Sequence, residues 1–290
     1  MLVSEFLQNW IDLYSLRLKP HSISGYKVNI NHANEFIGHI ELEKITQLDI
    51  QNMYAALLRK YKRNTVLYVH RTIREAMQYA VEIGYIAKNP CVGIILPKKE
   101  RYIHQIIAEE QAIKMLQFTK SADYDMYIVL LLALDLGLRR GEIIGLKYTD
   151  IDENRKTMCI GRSSEVKHGK IIDDTPKTNA GFRYLLLSDT LFDLLMMYKE
   201  TSDGSLICRL TQDQITYRFK QILTSVRLPD MRFHDLRHTC ATLLLKKGVP
   251  AKIVSERLGH SSITVTLDLY SHVLTTMQEP AAGALDDLII

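Results

Sequence analysis

Four short segments of this chain carry side chains that could do chemistry together. They are Gly137-Leu138-Arg139-Arg140-Gly141-Glu142, Pro176-Lys177-Thr178, His234-Asp235-Leu236-Arg237-His238, and Leu258-Gly259-His260 with Tyr270 ten residues further on. Arg139 follows a glycine that ends one helical pattern and precedes another. Its guanidinium would therefore sit beside free N–H groups at a helix N-terminus, a natural site for an anion. Taken alone, a surface arginine near a cap is the commoner explanation. Lys177 falls in an expected hairpin, where lysines are usually solvated. His234 and Arg237, three apart on an expected helix, project from one face and could cradle a phosphate or form an ordinary exposed pair. His234 and His238 are four apart, as in the HExxH zinc pattern, but Asp235 stands where that pattern needs glutamate and no third ligand is evident. Tyr270 is one of 15 tyrosines, and nothing in its own neighbourhood marks it as a nucleophile.

These segments need elements to hold them. Residues 1–90 have the periodicity of a small helical domain: Phe6, Leu7, Trp10, Leu13 and Tyr14 recur at helical spacing, and the first helix ends near Lys19-Pro20. A second helix is expected from about residue 21 to 37, stopped by Gly38. Thr46-Gln47-Leu48-Asp49 has capping-box form and opens a third, running to about residue 60. A fourth starts at Thr65 and ends by Gly84. Lys60, Lys62, Arg63, Arg71 and Arg74, interleaved with Tyr61 and Tyr68, are either a solvated face or a DNA-backbone surface. Residues 93–107, containing Leu96-Pro97-Lys98-Lys99, are expected as a linker between a domain at 1–92 and a second at 108–290. In that second domain, helices are expected over 109–118, 124–136 and 140–147. Residues 157–187 change character and predict a three-stranded antiparallel sheet by their turn chemistry. The remainder is mostly helical. The predicted fold class is mainly α with a small antiparallel β-sheet (α+β).

The bulk composition narrows the partners. Apolar residues make up 47% and charged residues 24%, and the net charge is +4. That is ordinary globular composition, mildly basic. The excess lies in one place: residues 1–100 hold 13 Lys+Arg against 9 Asp+Glu, whereas residues 101–290 hold 24 of each. If DNA is the partner, the N-terminal third should supply much of the phosphate attraction. The four cysteines are far apart with no CxxC pair, which suits a reducing cytosol and supports neither a disulfide framework nor a zinc knuckle. No basic leader precedes an apolar run, and the longest such run, residues 126–134, is far short of the ~20 residues that span a bilayer. A soluble cytoplasmic protein with no membrane partner is expected.

Read jointly, the segments resemble the tyrosine recombinase (phage integrase) family: GLRxGE, a hairpin lysine, HxLRH, LGH and a late tyrosine, in that order. The motifs cover about residues 108–275, and the preceding helical segment looks like the family's core-binding domain. The resemblance implies a C-shaped clamp around DNA made of the two domains. It also implies roles: Arg139 and Arg237 grip the scissile phosphate, Lys177 is the hairpin lysine and His234 the histidine of the HxxR pair. His260 is the histidine after Leu-Gly, Tyr270 the nucleophile, and Glu142 the acid that braces the first arginine.

That chemistry suits these residue types. Attack of a phenolate on a phosphodiester builds negative charge on the phosphoryl oxygens, which two fixed guanidinium groups neutralise. A tyrosine hydroxyl, with a pKa near ~10, needs a base, for which His234 is the candidate. The resemblance implies no cofactor and no metal. Its partners would be double-stranded DNA recombination sites, a homotetramer assembled on DNA and accessory DNA-bending proteins; the tail 271–290 is either the segment that docks on a neighbouring protomer or a loose terminus. Integration or excision of a mobile element would be the task. Two rivals share the scaffold: a type IB topoisomerase-like enzyme and a non-catalytic DNA-binding regulator. A zinc peptidase built on the HDxxH string is more distant.

Overall fold

The computed structural model describes residues 1–267 except 19, 99, 101, 103, 168–169, 175–181, 202–203, 261 and 265. Lys177, Tyr270 and the tail 271–290 lie outside the described residues. The chain divides into two compact units, Met1–Tyr102 and Ile103–Ile290.

The first unit holds four helices: α1 (Val3–Tyr14), α2 (Pro20–Ile37), α3 (Gln47–Lys60) and α4 (Arg63–Glu82). In α1, Val3, Phe6, Leu7, Trp10 and Ile11 are buried, the stripe that a 3.6-residue period places on one face. The expected capping box opens α3: Thr46 Oγ1 accepts from the Asp49 N–H at 3.3 Å, and the Asp49 carboxylate accepts from the Thr46 N–H at 2.9 Å. Helix α4 begins two residues earlier than Thr65, with Lys62 as its cap. Its buried Val66, Val69, Ile73, Met77 and Ala80 pack with Ile50, Tyr54 and Leu57 of α3. The segment after α4 is tied to this unit. Cys91 is buried in its core, and Gln51 pairs with the Ile95 backbone through bonds of 3.2 and 3.0 Å.

The second unit contains α5 (Glu109–Ala122), α6 (Tyr124–Leu134), α7 (Arg140–Gly145), α8 (Asp189–Lys199), α9 (Gln212–Ser225), α10 (Asp235–Lys246) and α11 (Ala251–Leu258). Its strands are β1 (Ile151–Asp152), β2 (Thr157–Ile160), β3 (Ser163–Lys167), β4 (Lys170–Asp174) and β5 (Arg183–Leu186). Helix α6 is apolar on nearly every side, so it belongs in the middle of the core. Met126, Ile128, Val129, Leu130, Leu132 and Ala133 are all buried. Asp123 caps it, accepting from the Met126 N–H at 3.1 Å.

The three-stranded sheet read from turn chemistry forms only in part: its first and last expected strands pair, and the middle one joins a separate hairpin. Strand β2 pairs antiparallel with β5, Met158 opposite Leu185 and Ile160 opposite Arg183, and on its other side with the two-residue β1. Strands β3 and β4 make a separate hairpin, Glu165 opposite Ile172. The break falls after Ile160. There the Arg162 guanidinium is held by both oxygens of Asp150, at 2.8 and 2.9 Å, and by the Gly145 carbonyl at 3.1 Å. The hairpin instead lies on α7, at Gly141 and Gly145. A Cβ on either glycine would come within 2.4 or 2.5 Å of the Ser163 or Ser164 hydroxyl. Turn residues reveal which strands are neighbours in sequence, whereas this redirection depends on side chains about ten residues upstream.

Candidate active site

Three chain segments far apart in sequence meet at the C-terminal end of α11. Helix α6 is terminated by Gly137 in the left-handed region, φ +64. A Cβ there would lie 2.3 Å from Leu258 Cδ2 and 3.2 Å from Cys240 Sγ, so only glycine lets this turn lie against α10 and α11. Arg139 follows as the cap of α7, and Glu142 lies one turn on. His234 caps α10 and Arg237 sits in its first turn. His234 is thus the residue before the helix rather than within it. Helix α11 ends at Gly259, φ +68, which leaves its last carbonyls without helical partners.

Those carbonyls are taken by arginines. Arg183 Nε donates to the Arg257 carbonyl at 2.7 Å, Arg237 Nη2 to the Leu258 carbonyl, and Arg139 Nη2 to the Gly259 carbonyl at 3.1 Å. Arg237 Nη1 also donates to the Gly137 carbonyl at 2.7 Å. Three successive carbonyls therefore each hold a guanidinium, at the helix end where the peptide dipoles favour positive charge. Arg237 is almost wholly buried, while the Arg139 side chain is 39% exposed and can meet a ligand from solvent.

Glu142 is buried between Arg139 and Arg183. Burial alone would raise its carboxyl pKa, but hydrogen bonds and charge from Arg183, then Arg139, outweigh it and hold the group below its ordinary range. His260 Nδ1 lies 2.7 Å from Thr266 Oγ1, which fixes the ring and leaves Nε2 for another partner. His234 and His260 both feel the two arginines. His234 keeps an edge open to solvent, yet the protein packed around it, then the charges of Arg237 and Arg139, push its pKa down to about 4. Burial, then the same two charges, pushes His260 down to about 4. Both imidazoles are neutral at pH 7.

Of the seven residues singled out for chemistry, five converge here: Arg139, Glu142, His234, Arg237 and His260. Lys177 and Tyr270 lie outside the described residues. Arg183 was missed by sequence reasoning although a signal existed. Along β5 the alternate residues Arg183 and Leu185 face inward, and an arginine in a core-facing strand position needs a buried partner. His104 was missed too. Its Nδ1 is 3.0 Å from the Asp235 carboxylate, and its ring lies against that of His238, tilted by 35°, with centroids 3.6 Å apart. His238 in turn meets the His234 ring edge-on at 5.3 Å.

His104, Asp235 and His238 are the His/Asp group closest to a metal-ligand set among the described residues. That short ring separation argues against a shared ion. Two imidazoles bound at about 2.1 Å to one tetrahedral metal would have ring centroids about 5 Å apart. Asp235 also accepts from the Arg232 N–H at 3.0 Å, so both of its oxygens already have donors in reach.

In the first unit, Lys60 is paired with Glu35 at 3.0 Å and Arg63 with Glu100 at 3.5 Å, while Lys62 caps α4 with an exposed side chain. Arg71 and Arg74 share an exposed face of α4 and line a cavity of about 1000 Å³ with Trp10, Tyr14 and Tyr26. Lys60 and Arg63 would have to exchange a carboxylate for any phosphate they bind.

The chain is similar to known proteins over most of its length. A model of the phage integrase family matches residues 105–277, and a model of the phage integrase N-terminal SAM-like domain matches residues 2–58. A XerC-like tyrosine recombinase of Caldanaerobacter subterraneus is 28% identical over 99% of this chain and 83% of its own length. The ICEBs1 integrase of Bacillus subtilis is 25% identical over 93% of this chain and 79% of its own. Among solved structures, the Tn1549 transposon integrase in complex with transposon right end DNA aligns with a TM-score of 0.83 at 18% identity, covering 97% of this chain and 100% of that one. A lambda integrase tetramer bound to a Holliday junction aligns at 0.75 and 20% identity, covering 93% and 77%. The two share its fold. With the family model spanning well over half of the sequence, this chain belongs to the phage integrase family of tyrosine recombinases.

Proposed function

We propose that this recombinase cuts and rejoins double-stranded DNA at specific sites through a covalent link to Tyr270, with Arg139 and Arg237 holding the scissile phosphate. The observation that carries the reading is the anchoring of both guanidinium groups on the adjacent carbonyls of Leu258 and Gly259, beside His260. Fixed donors aimed at a phosphoryl group neutralise the charge that develops during attack without having to reorganise.

In the proposed step the Tyr270 hydroxyl gives its proton to His234, and its oxygen attacks phosphorus. The bond from phosphorus to the 5′ oxygen breaks, and that oxygen takes a proton from Lys177. The products are a 3′-phosphotyrosyl strand and a free 5′ hydroxyl. Because the new ester keeps the energy of the old one, a second 5′ hydroxyl can reverse the step and no ATP is needed. A neutral His234, with its pKa near 4, is in the protonation state a base requires. His260 donates to a phosphate oxygen.

On this reading the chain acts as a homotetramer on two DNA sites, in the cytoplasm, to integrate or excise a mobile element. Support comes from relatives named as a transposon integrase and as an ICEBs1 integrase, and from lambda integrase as a tetramer on a Holliday junction. Accessory DNA-bending proteins would assist assembly. Among the described residues no helix is long and apolar enough to cross a membrane. The test is a plasmid carrying two candidate sites taken from DNA flanking the gene, assayed beside a supercoiled plasmid with none. Recombinant products from the first plasmid alone support the proposal. Relaxation of both without recombinants would assign the topoisomerase-like activity instead.

A further inference from the structure

The buried Arg183 has no part in the proposed reaction, yet it is held more firmly than Arg139. Its side chain is 7% exposed, against 39% for Arg139. Nη1 donates to Glu142 Oε1 at 3.2 Å and Nη2 to Oε2 at 3.0 Å, a two-pronged grip on one carboxylate. From the other side, Arg139 Nη1 donates to Oε1 at 2.7 Å and the Arg139 N–H to Oε2 at 2.9 Å. Each oxygen of Glu142 thus takes one bond from Arg183 and one from Arg139, which fills the roughly four lone-pair positions a carboxylate offers.

We propose that Arg183 is a positioning residue that sets Arg139 for phosphate binding through their shared carboxylate, Glu142. The inference rests on the proposed role of Arg139. A carboxylate bound by Arg139 alone could turn to make its own two-pronged pair, drawing the guanidinium away from the Gly259 carbonyl and neutralising it. Arg183 takes the second lone pair on each oxygen, so Arg139 is limited to one side-chain bond and keeps a free edge. Two arginines on one carboxylate also leave the cluster with net positive charge where an anionic phosphate is to bind. The third bond of Arg183, from Nε to the Arg257 carbonyl, fixes its orientation against the end of α11.

The test uses the full-length chain and nicked site DNA, following covalent adduct at saturating DNA and, separately, DNA affinity. Arg183→Met is expected to slow adduct formation about 10- to 100-fold, the scale of a misplaced catalytic group, with less than about 3-fold change in affinity. Arg183→Lys keeps the charge without the fork and should recover part of the rate. In an Arg139→Ala background, Arg183→Met should add less than about 2-fold, because the path it acts through is gone. Equal losses in both backgrounds, or an unchanged rate in Arg183→Lys and Arg183→Met, would overturn the proposal. If Arg183→Met does not fold, the lysine variant in the two backgrounds decides by the same comparison. Absence of adduct in the unsubstituted protein would instead contradict the proposed function, so the two failures are distinguishable.

Discussion

Replacing Gly137 by alanine should disable the site from a position that contributes no functional side chain. Its φ of +64 places an L-residue in the left-handed region, which costs about 1 kcal/mol. The added Cβ would then lie 2.3 Å from Leu258 Cδ2. Leu258 is fully buried among Ala241, Leu245 and Val254, so its side chain has little room to yield. Relief of that overlap costs a further ~1–3 kcal/mol. The sum is roughly 2–4 kcal/mol, and it falls on the residue whose carbonyl holds Arg237. A shift of about 1 Å there should lower cleavage about 100-fold. Gly248→Ala is the internal control: φ is +80, but nothing lies within 4 Å of its Cβ, so only the backbone penalty of about 1 kcal/mol applies. Urea unfolding separates the units, since the one tryptophan, Trp10, reports on the first and far-ultraviolet circular dichroism on both. Gly137→Ala should move the dichroism transition and leave the fluorescence transition in place. If it is no more disruptive than Gly248→Ala and cleaves at the normal rate, the packing argument for the site is wrong.

Three further outcomes follow from the same geometry. Arg237→Lys substitutes a point charge for a fork that reaches two carbonyls, and should slow adduct formation hundreds-fold, ~3–4 kcal/mol, with a much smaller loss of DNA affinity in a filter-binding assay. His234, His238 and His260 have folded pKa values of about 4, 3 and 4, below the unfolded value of about 6.5. The unfolded chain therefore binds more protons between pH 6.5 and 4, so the stability these groups contribute is complete above pH 6.5 and is lost as pH falls toward 4. A urea midpoint for the second unit that rises on going from pH 7 to pH 5 would contradict that sign. If Arg71 and Arg74 contact phosphates, replacing both by alanine should reduce the slope of log affinity against log salt by about 2, whereas an unchanged slope would remove them from the DNA surface.

Much of the site was legible in the sequence because each motif brings its own local geometry. Gly137 and Gly259 end helices, with Arg139 two residues after the first and His260 directly after the second. The family resemblance implied Glu142 as the brace of Arg139, and the two, one helical turn apart, are joined by a bond of 2.7 Å. Non-local partners were not legible. Arg183 reaches Glu142 across 41 residues and His104 reaches Asp235 across 131, and no spacing rule links such positions. The sheet was misassigned for the same reason: its strands follow one another in sequence, but the Arg162–Asp150 pair redirects the chain between them. In the first unit, apolar periodicity together with cap and stop residues located all four helices, while the basic residues gave no hint that Glu35 and Glu100 already hold Lys60 and Arg63.

The most direct measurement is covalent capture on nicked site DNA followed by denaturing electrophoresis and mass mapping of the attached peptide. The unsubstituted chain should yield a detergent-resistant adduct on the peptide carrying Tyr270, and Tyr270→Phe should yield none. An adduct that persists in that variant, or that maps to another residue, would place the nucleophile elsewhere and leave the two arginines gripping a phosphate for some different end.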